Sequence, residues 1–197
     1  MHLRSPSGLL PAARQRHSPN QDCRPVGAVV ELVVVHGISL PPGEFGGEGI
    51  DQLFHNRLDT EAHPCYREIA GLRVSAHLLI RRDGEIVQYV PFHRRAWHAG
   101  LSCHRGRSGC NDFSVGIELE GADRVPYTPV QYRHLARVIA ALRRAYPTIP
   151  PDGVVGHSDI APERKTDPGP AFRWDLLLRL RARGEPDLPD PRRPTWA

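Results

Sequence analysis

Two hydrophobic periods alternate along this chain. Residues 28–35 (AVVELVVV) are apolar and β-branched almost throughout, the pattern of a strand covered on both faces. That strand is expected to end at His36, where a loop rich in glycine and proline begins. Residues 73–90 read as a hairpin whose arms hinge on Asp83-Gly84, a pair suited to the positive φ angles of a tight turn. Residues 113–120 alternate strictly. Phe113, Val115, Ile117 and Leu119 fall on one face, and Ser114, Gly116, Glu118 and Glu120 on the other. The polar face reads either as a solvated surface or as the wall of a site. Thr128-Pro129-Val130-Gln131 has the form of a capping box with proline at the first helical position. Behind it Tyr132, Leu135, Val138, Ile139 and Leu142 recur at helical spacing, predicting a helix to about Tyr146. A second helix is predicted over 172–183, stopped by Gly184.

Strands and helices in alternation place the chain in the α/β class, as a single domain with a central mixed β-sheet flanked by helices. The domain is expected to span residues 21–183. Residues 1–20 mix Arg, Pro, Ser and His without a hydrophobic period and are expected to be irregular. Residues 184–197 set four prolines among charges and read as a tail. At 197 residues the fold can bury about 70 % of its unfolded surface and needs no disulfides. The four cysteines form no CxxC pair, and their thiols are expected to be reduced.

No run approaches the ~20 apolar residues of a membrane helix, so no membrane insertion is expected. The first residues lack the unbroken apolar segment, about 7 to 15 long, of a secretory signal, which points to the cytoplasm. Basic side chains number 26 against 22 acidic ones, a formal charge of +4. The excess is small and scattered, which argues against a nucleic-acid partner. Nothing in the pattern predicts an oligomer.

Of the 11 histidines, two stand where apolar strands open into loops: His36, and His157 after Val154-Val155-Gly156. Asp167 follows ten residues after His157, ahead of a proline that favours extended backbone. Two imidazoles and a carboxylate match the ligand set of a catalytic zinc site. Spacing alone does not single them out. Glu118 lies on the polar face of its strand, two residues after a glycine that leaves room for close approach. Lys165 is the one lysine among the 26 basic residues, in a Pro/Gly-rich turn where a compact point charge differs from an arginine fork.

Five separated blocks carry a resemblance. They are residues 36–47, residues 72–92 with Arg95-Ala96-Trp97-His98-Ala99-Gly100, the run NDFSVGIELEG at 111–121, GHSDIAP at 156–162, and RKTDPGP at 164–170. Together they resemble the zinc-dependent N-acetylmuramoyl-L-alanine amidases related to peptidoglycan recognition proteins, most closely the cytosolic AmpD type. The resemblance runs from about Asp22 to Leu177. It implies a mixed sheet with packed helices, with Zn2+ held by His36, His157 and Asp167. Glu118 would be the acid/base residue, and Lys165 a cation beside the scissile carbonyl. The implied substrate is an anhydromuramyl peptide, cut between the lactyl group and L-alanine during peptidoglycan recycling.

Arg73 matches a contact to the peptide carboxylates. Trp97 and His98 are expected to flank the cleft, Trp97 as a stacking face for the sugar or else as a core side chain. Two departures bear on substrate contacts. Gly37 stands where relatives usually have asparagine, and Gly109 where many have a second arginine, for which Arg107 is a nearby substitute. Two other readings share these residues: a non-catalytic module that binds wall fragments, and an amidase acting on intact wall.

Overall fold

The computed structural model describes residues 1, 3 and 7–183, so the tail expected at 184–197 lies outside the described residues. Two short strands, β1 (Arg14–Gln15) and β2 (Gln21–Cys23), precede the first apolar run. That run becomes β3 (Leu32–Ile38), followed by helices α1 (Gly49–Phe54) and α2 (Pro64–Glu68). The hairpin supplies β4 (Leu78–Ile80) and β5 (Ile86–Gln88). Then β6 (Arg94–Ala96), β7 (Cys103–His104) and β8 (Arg107–Ser108) lead through a single 3-10 turn into β9 (Ser114–Glu120). The chain continues as α3 (Pro129–Ala145), β10 (Val154–Gly156), α4 (His157–Ile160) and α5 (Trp174–Ala182).

The main sheet is mixed, in the order β1-β5-β4-β9-β3-β10. Only the hairpin pair β4–β5 is antiparallel within it. β3 and β9 lie side by side from Leu32↔Ser114 to Ile38↔Glu120. One face of the sheet, with Val33, Val35, Val115, Ile117 and Leu119, packs beneath α3 and α5. The other face is covered in two parts. Residues of α1 close over Leu79 and Val87, and Ala99, Cys110, Phe113 and Ile160 close over Leu32 and Val34.

The predicted α3 forms with its capping box, the Thr128 side chain accepting from Gln131 N–H. The hairpin turn is present at Gly84, with φ at +97°. Four expectations are corrected. β3 does not stop at His36, because β9 pairs with it as far as Ile38. The hairpin's first arm is strand only from Leu78, because Ser75 N–H turns to Trp97 O and His77 N–H to Gly116 O. The last helix begins at Trp174, two residues after the predicted start.

The N-terminal segment is not irregular throughout. β1 pairs with β5, Leu10 is fully buried, and Gln88 bonds both Leu10 N–H and Gly8 O. An edge strand held by backbone pairing needs no hydrophobic period of its own, which is why composition misread it. Arg24 ties these layers together. Its guanidinium donates to four backbone carbonyls, those of Phe92, Asn111, Asp112 and Ser114.

Candidate metal and catalytic site

Because β3 and β9 run parallel in register, His36 and Glu118 are direct neighbours on one face of the sheet. Adjacent strands lie about 4.8 Å apart, so the two side chains share one small space. β10 pairs with the other side of β3, Gly156 opposite Val35, and delivers His157 to the same end of the sheet. Asp167 comes from the loop behind α4 and is fastened to α4 and to β3. Its carbonyl accepts from Ser158 N–H (3.0 Å), and its Oδ2 lies 3.4 Å from Gly37 N.

The three side chains converge. His36 Nδ1 is 3.0 Å from His157 Nδ1 and 3.3 Å from Asp167 Oδ2, and His157 Nδ1 is 3.1 Å from the same carboxylate. Both imidazoles are buried. Burial, reinforced by the neighbouring His157, outweighs the pull of Asp167 and lowers His36 to a pKa of about 4, so the ring is neutral near pH 7. His157 Nε2 lies 3.3 Å from the carbonyl of Ala99. A carbonyl only accepts, so that nitrogen carries the proton and Nδ1 is left bare, facing the cluster. The separations of 3.0 to 3.3 Å are close to the edge of a tetrahedron around zinc, roughly 3.3 Å for metal–ligand bonds near 2.0–2.1 Å. These residues fit a zinc ion.

Glu118 is 9 % exposed, and its Oε2 has no hydrogen-bond partner among the described residues. Burial and the nearby Asp167 push its carboxyl well above the usual carboxylate range, while Lys165 pulls it down. A carboxyl with a free oxygen and a raised affinity for protons suits proton transfer near neutral pH. Lys165 is half-buried, its backbone N–H held by Ala161 O. Glu120, one turn of the pleat further on, has a different task. It accepts from Gly46 N–H, Arg81 and Arg82 N–H, and so closes the loop after β3 onto the sheet. The polar face of β9 is therefore buried rather than solvated.

The residues expected to contact substrate are dispersed. Trp97 is half-buried, its backbone bonded both ways to Ser75. His98, expected at the cleft wall, is instead buried behind His36, with its Nδ1 2.9 Å from His36 Nε2. Arg73 is exposed beside a small cavity of about 210 Å³. Arg107 is ion-paired with Glu31 and lies 4.0 Å over the Phe113 ring, at the opposite end of β3 and β9 from His36.

The two glycine departures have local causes. A Cβ at Gly37 would stand 2.2 Å from the hydroxyl of Tyr127, which donates to Pro168 O beside Asp167. Gly109 has φ at +73°, which a side chain there would strain. Sequence reasoning missed Tyr127, Ser114 and the carbonyl of Ala99. Ser114 was visible only as one more polar position on an alternating strand.

A family model described as N-acetylmuramoyl-L-alanine amidase matches residues 26–170. The 1,6-anhydro-N-acetylmuramyl-L-alanine amidase AmpD of Salmonella typhimurium (strain SL1344) is 62 % identical over 173 residues, 88 % of this chain and 92 % of that protein. The Escherichia coli (strain K12) protein of the same name is also 62 % identical, over 85 % of this chain and 91 % of its own length. Among solved structures, the crystal structure of a Se-Met AmpD derivative superposes with a TM-score of 0.88 at 58 % identity, covering 91 % of this chain and 99 % of that one. The amidase AmiD from E. coli, in complex with anhydro-N-acetylmuramic acid-L-Ala-D-γ-Glu-L-Lys, gives 0.55 at 31 % identity, over 80 % of this chain and 60 % of that one.

Proposed function

Because this chain belongs to the N-acetylmuramoyl-L-alanine amidase family, we propose that it is a zinc enzyme of cytosolic peptidoglycan recycling. On this reading it hydrolyses the amide between the lactyl group of 1,6-anhydro-N-acetylmuramic acid and L-alanine. The observation that carries the reading is the pairing of a three-donor cluster with a buried carboxyl, Glu118, on the adjacent strand. The substrate class is supported by the names of the relatives and by the complex of the AmiD neighbour.

Amides resist hydrolysis because nitrogen donates into the carbonyl and leaves poorly. His36, His157 and Asp167 would hold the zinc. When bound, zinc supplies Lewis-acid activation of water and polarisation of the scissile carbonyl. Glu118 then takes a proton from the attacking water and passes it to the departing nitrogen of L-alanine. Its raised proton affinity serves the second half of that task, and its unpartnered Oε2 leaves an atom free for the first. Lys165 offers its ammonium to the oxyanion that forms as the carbonyl carbon becomes tetrahedral. Arg73, with no ion pair among the described residues, would grip a carboxylate of the stem peptide. Trp97 would offer the exposed part of its ring to the sugar.

The reading is tested by incubating the zinc-loaded chain with anhydromuramyl tripeptide in 18O-labelled water and analysing the products by mass spectrometry. The label is expected in the lactyl carboxylate, with an unlabelled tripeptide whose L-alanine amino group is free. Cleavage within the peptide, or no cleavage, would contradict it.

A further inference from the structure

The hydrogen bonds behind His36 can be followed, one donor at a time, to a group whose role is fixed. The carbonyl of Cys110 only accepts, so Ser114 Oγ–H, 2.5 Å away, donates to it. Ser114 has then spent its single proton. Toward His98 Nε2, at 3.1 Å, its oxygen accepts, and that nitrogen carries the hydrogen. A neutral ring protonated at Nε2 is bare at Nδ1, which therefore accepts from His36 Nε2 at 2.9 Å. With its proton at Nε2, His36 turns a bare Nδ1 toward His157 and Asp167. His157 reaches the same state by a shorter route, through Ala99 O.

We infer that His98 and Ser114 are positioning residues that hold His36 in its metal-binding tautomer. The inference rests on the proposed role of His36, His157 and Asp167 as zinc ligands. It assigns His98, which the sequence suggested as a wall of the cleft, to the side of His36 away from the metal. Hydrogen-bond partners behind a ligating histidine fix its ring and tautomer, and losing one typically weakens metal binding about 10- to 100-fold.

The surrounding backbone is shaped for this arrangement. A Cβ at Gly116 would lie 2.4 to 2.6 Å from three atoms of the His98 ring, so only glycine leaves the ring its place. Asn111 Oδ1 accepts from the N–H groups of both His98 and Ala99, which fixes together the two groups that orient the ligand histidines. One face of β9 thus carries, at alternate positions, the end of the relay (Ser114), the space for its middle (Gly116) and the proposed acid/base residue (Glu118).

The test is zinc affinity, measured by competition with a chromogenic chelator, for the wild-type chain and for His98→Leu, His98→Asn and Ser114→Ala. Circular dichroism would check that each is folded. His98→Leu removes the acceptor and is expected to bind zinc 10- to 100-fold more weakly. The amide oxygen of His98→Asn can stand in for Nδ1 and should restore affinity to within a few-fold of wild type. Imidazole nitrogen–proton correlation spectra should show His98 protonated at Nε2 in the wild type both with zinc and without it, and metal-free Ser114→Ala should lose that preference.

Equal zinc affinity in a folded His98→Leu chain would overturn the inference. So would equal weakening by Leu and Asn, which would mark a packing role, or a His98 protonated at Nδ1. Should His98→Leu fail to fold, the spectra and Ser114→Ala still decide. A wild-type chain that holds no zinc removes the metal reading itself, and this inference with it.

Discussion

At the scale of single residues, the site depends on where side chains are absent as much as on where they stand. Gly37 leaves room for the Tyr127 hydroxyl, which a Cβ would meet at 2.2 Å. Gly37→Ala is therefore expected to destabilise the fold by about 1–3 kcal/mol, the usual range for forced overpacking. Tyr127→Phe in the same chain should recover much of the loss, because the ring carbon behind the hydroxyl is 3.5 Å from that Cβ. Urea denaturation of the single and double variants measures this, and additive losses would show that the clash lies elsewhere.

Glu118 gives a prediction with a pH sign. Its folded carboxyl holds its proton well above the usual range, chiefly through burial, while the unfolded chain releases it at an ordinary pKa. Below about pH 4 both states are protonated and the group contributes no difference. Above that, the unfolded chain sheds a proton that the folded chain keeps, and the fold loses stability as pH rises. Metal-free Glu118→Gln should therefore outlast wild type in thermal melts at pH 8, with the gap closing toward pH 4. A constant gap would mean that the carboxyl titrates normally. Lys165→Met removes the cation that lowers this pKa, so the acid limb of kcat/KM should move to higher pH. An unmoved limb would separate the ammonium from the carboxyl.

The three residues of the candidate metal cluster were legible through the motif blocks that hold them, and not through their spacing alone. His98 was not, since nothing in a sequence says which side of a ligand a neighbouring histidine occupies. That depends on the register of β9 against β3 and on the missing Cβ at Gly116.

At the scale of elements, strand and helix interiors were readable and their ends were not. The alternation in β9 and the capping box of α3 are local signals, and both elements formed where they pointed. The ends of β3, of the hairpin arms and of α5 were decided by partners distant in sequence. Ile38 is strand because Glu120 pairs with it. Likewise, the polar face of β9 does not reveal its own burial: Arg81 and Gly46 cover Glu120, and His98 covers Ser114 and Gly116. The capping box gives the prediction at this scale. Thr128→Ala removes the acceptor for Gln131 N–H and should cost about 1 kcal/mol, lowering Tm by about 2–4 °C. An unchanged melt would mean that burial of α3 alone fixes its first turn.

At the scale of the whole molecule, polar ties join the periphery to the frame around the site. Arg24, on the approach to β3, bonds carbonyls of the segments that carry Phe92, Asn111 and Ser114, and Asn111 in turn fixes His98 and Ala99. Arg24→Met leaves those carbonyls unpaired, and is expected to lower both overall stability and zinc retention. Loss of stability with zinc affinity unchanged would limit Arg24 to the fold. The sheet's parallel centre brings His36, Glu118 and His157 to one end of three neighbouring strands, and the loop after α4 returns Asp167 to them.

The central claim is that this cluster and Glu118 act together on an amide. It is tested most directly by following release of L-alanyl tripeptide from anhydromuramyl tripeptide with wild type and Glu118→Gln, each assayed zinc-loaded, chelated and re-loaded. The account predicts turnover in wild type that chelation abolishes and zinc restores. It predicts that Glu118→Gln keeps its zinc yet turns over at least about 100-fold more slowly, the lower end of what a positioned proton-transfer group contributes. Full turnover by zinc-loaded Glu118→Gln, or by chelated wild type, would contradict it.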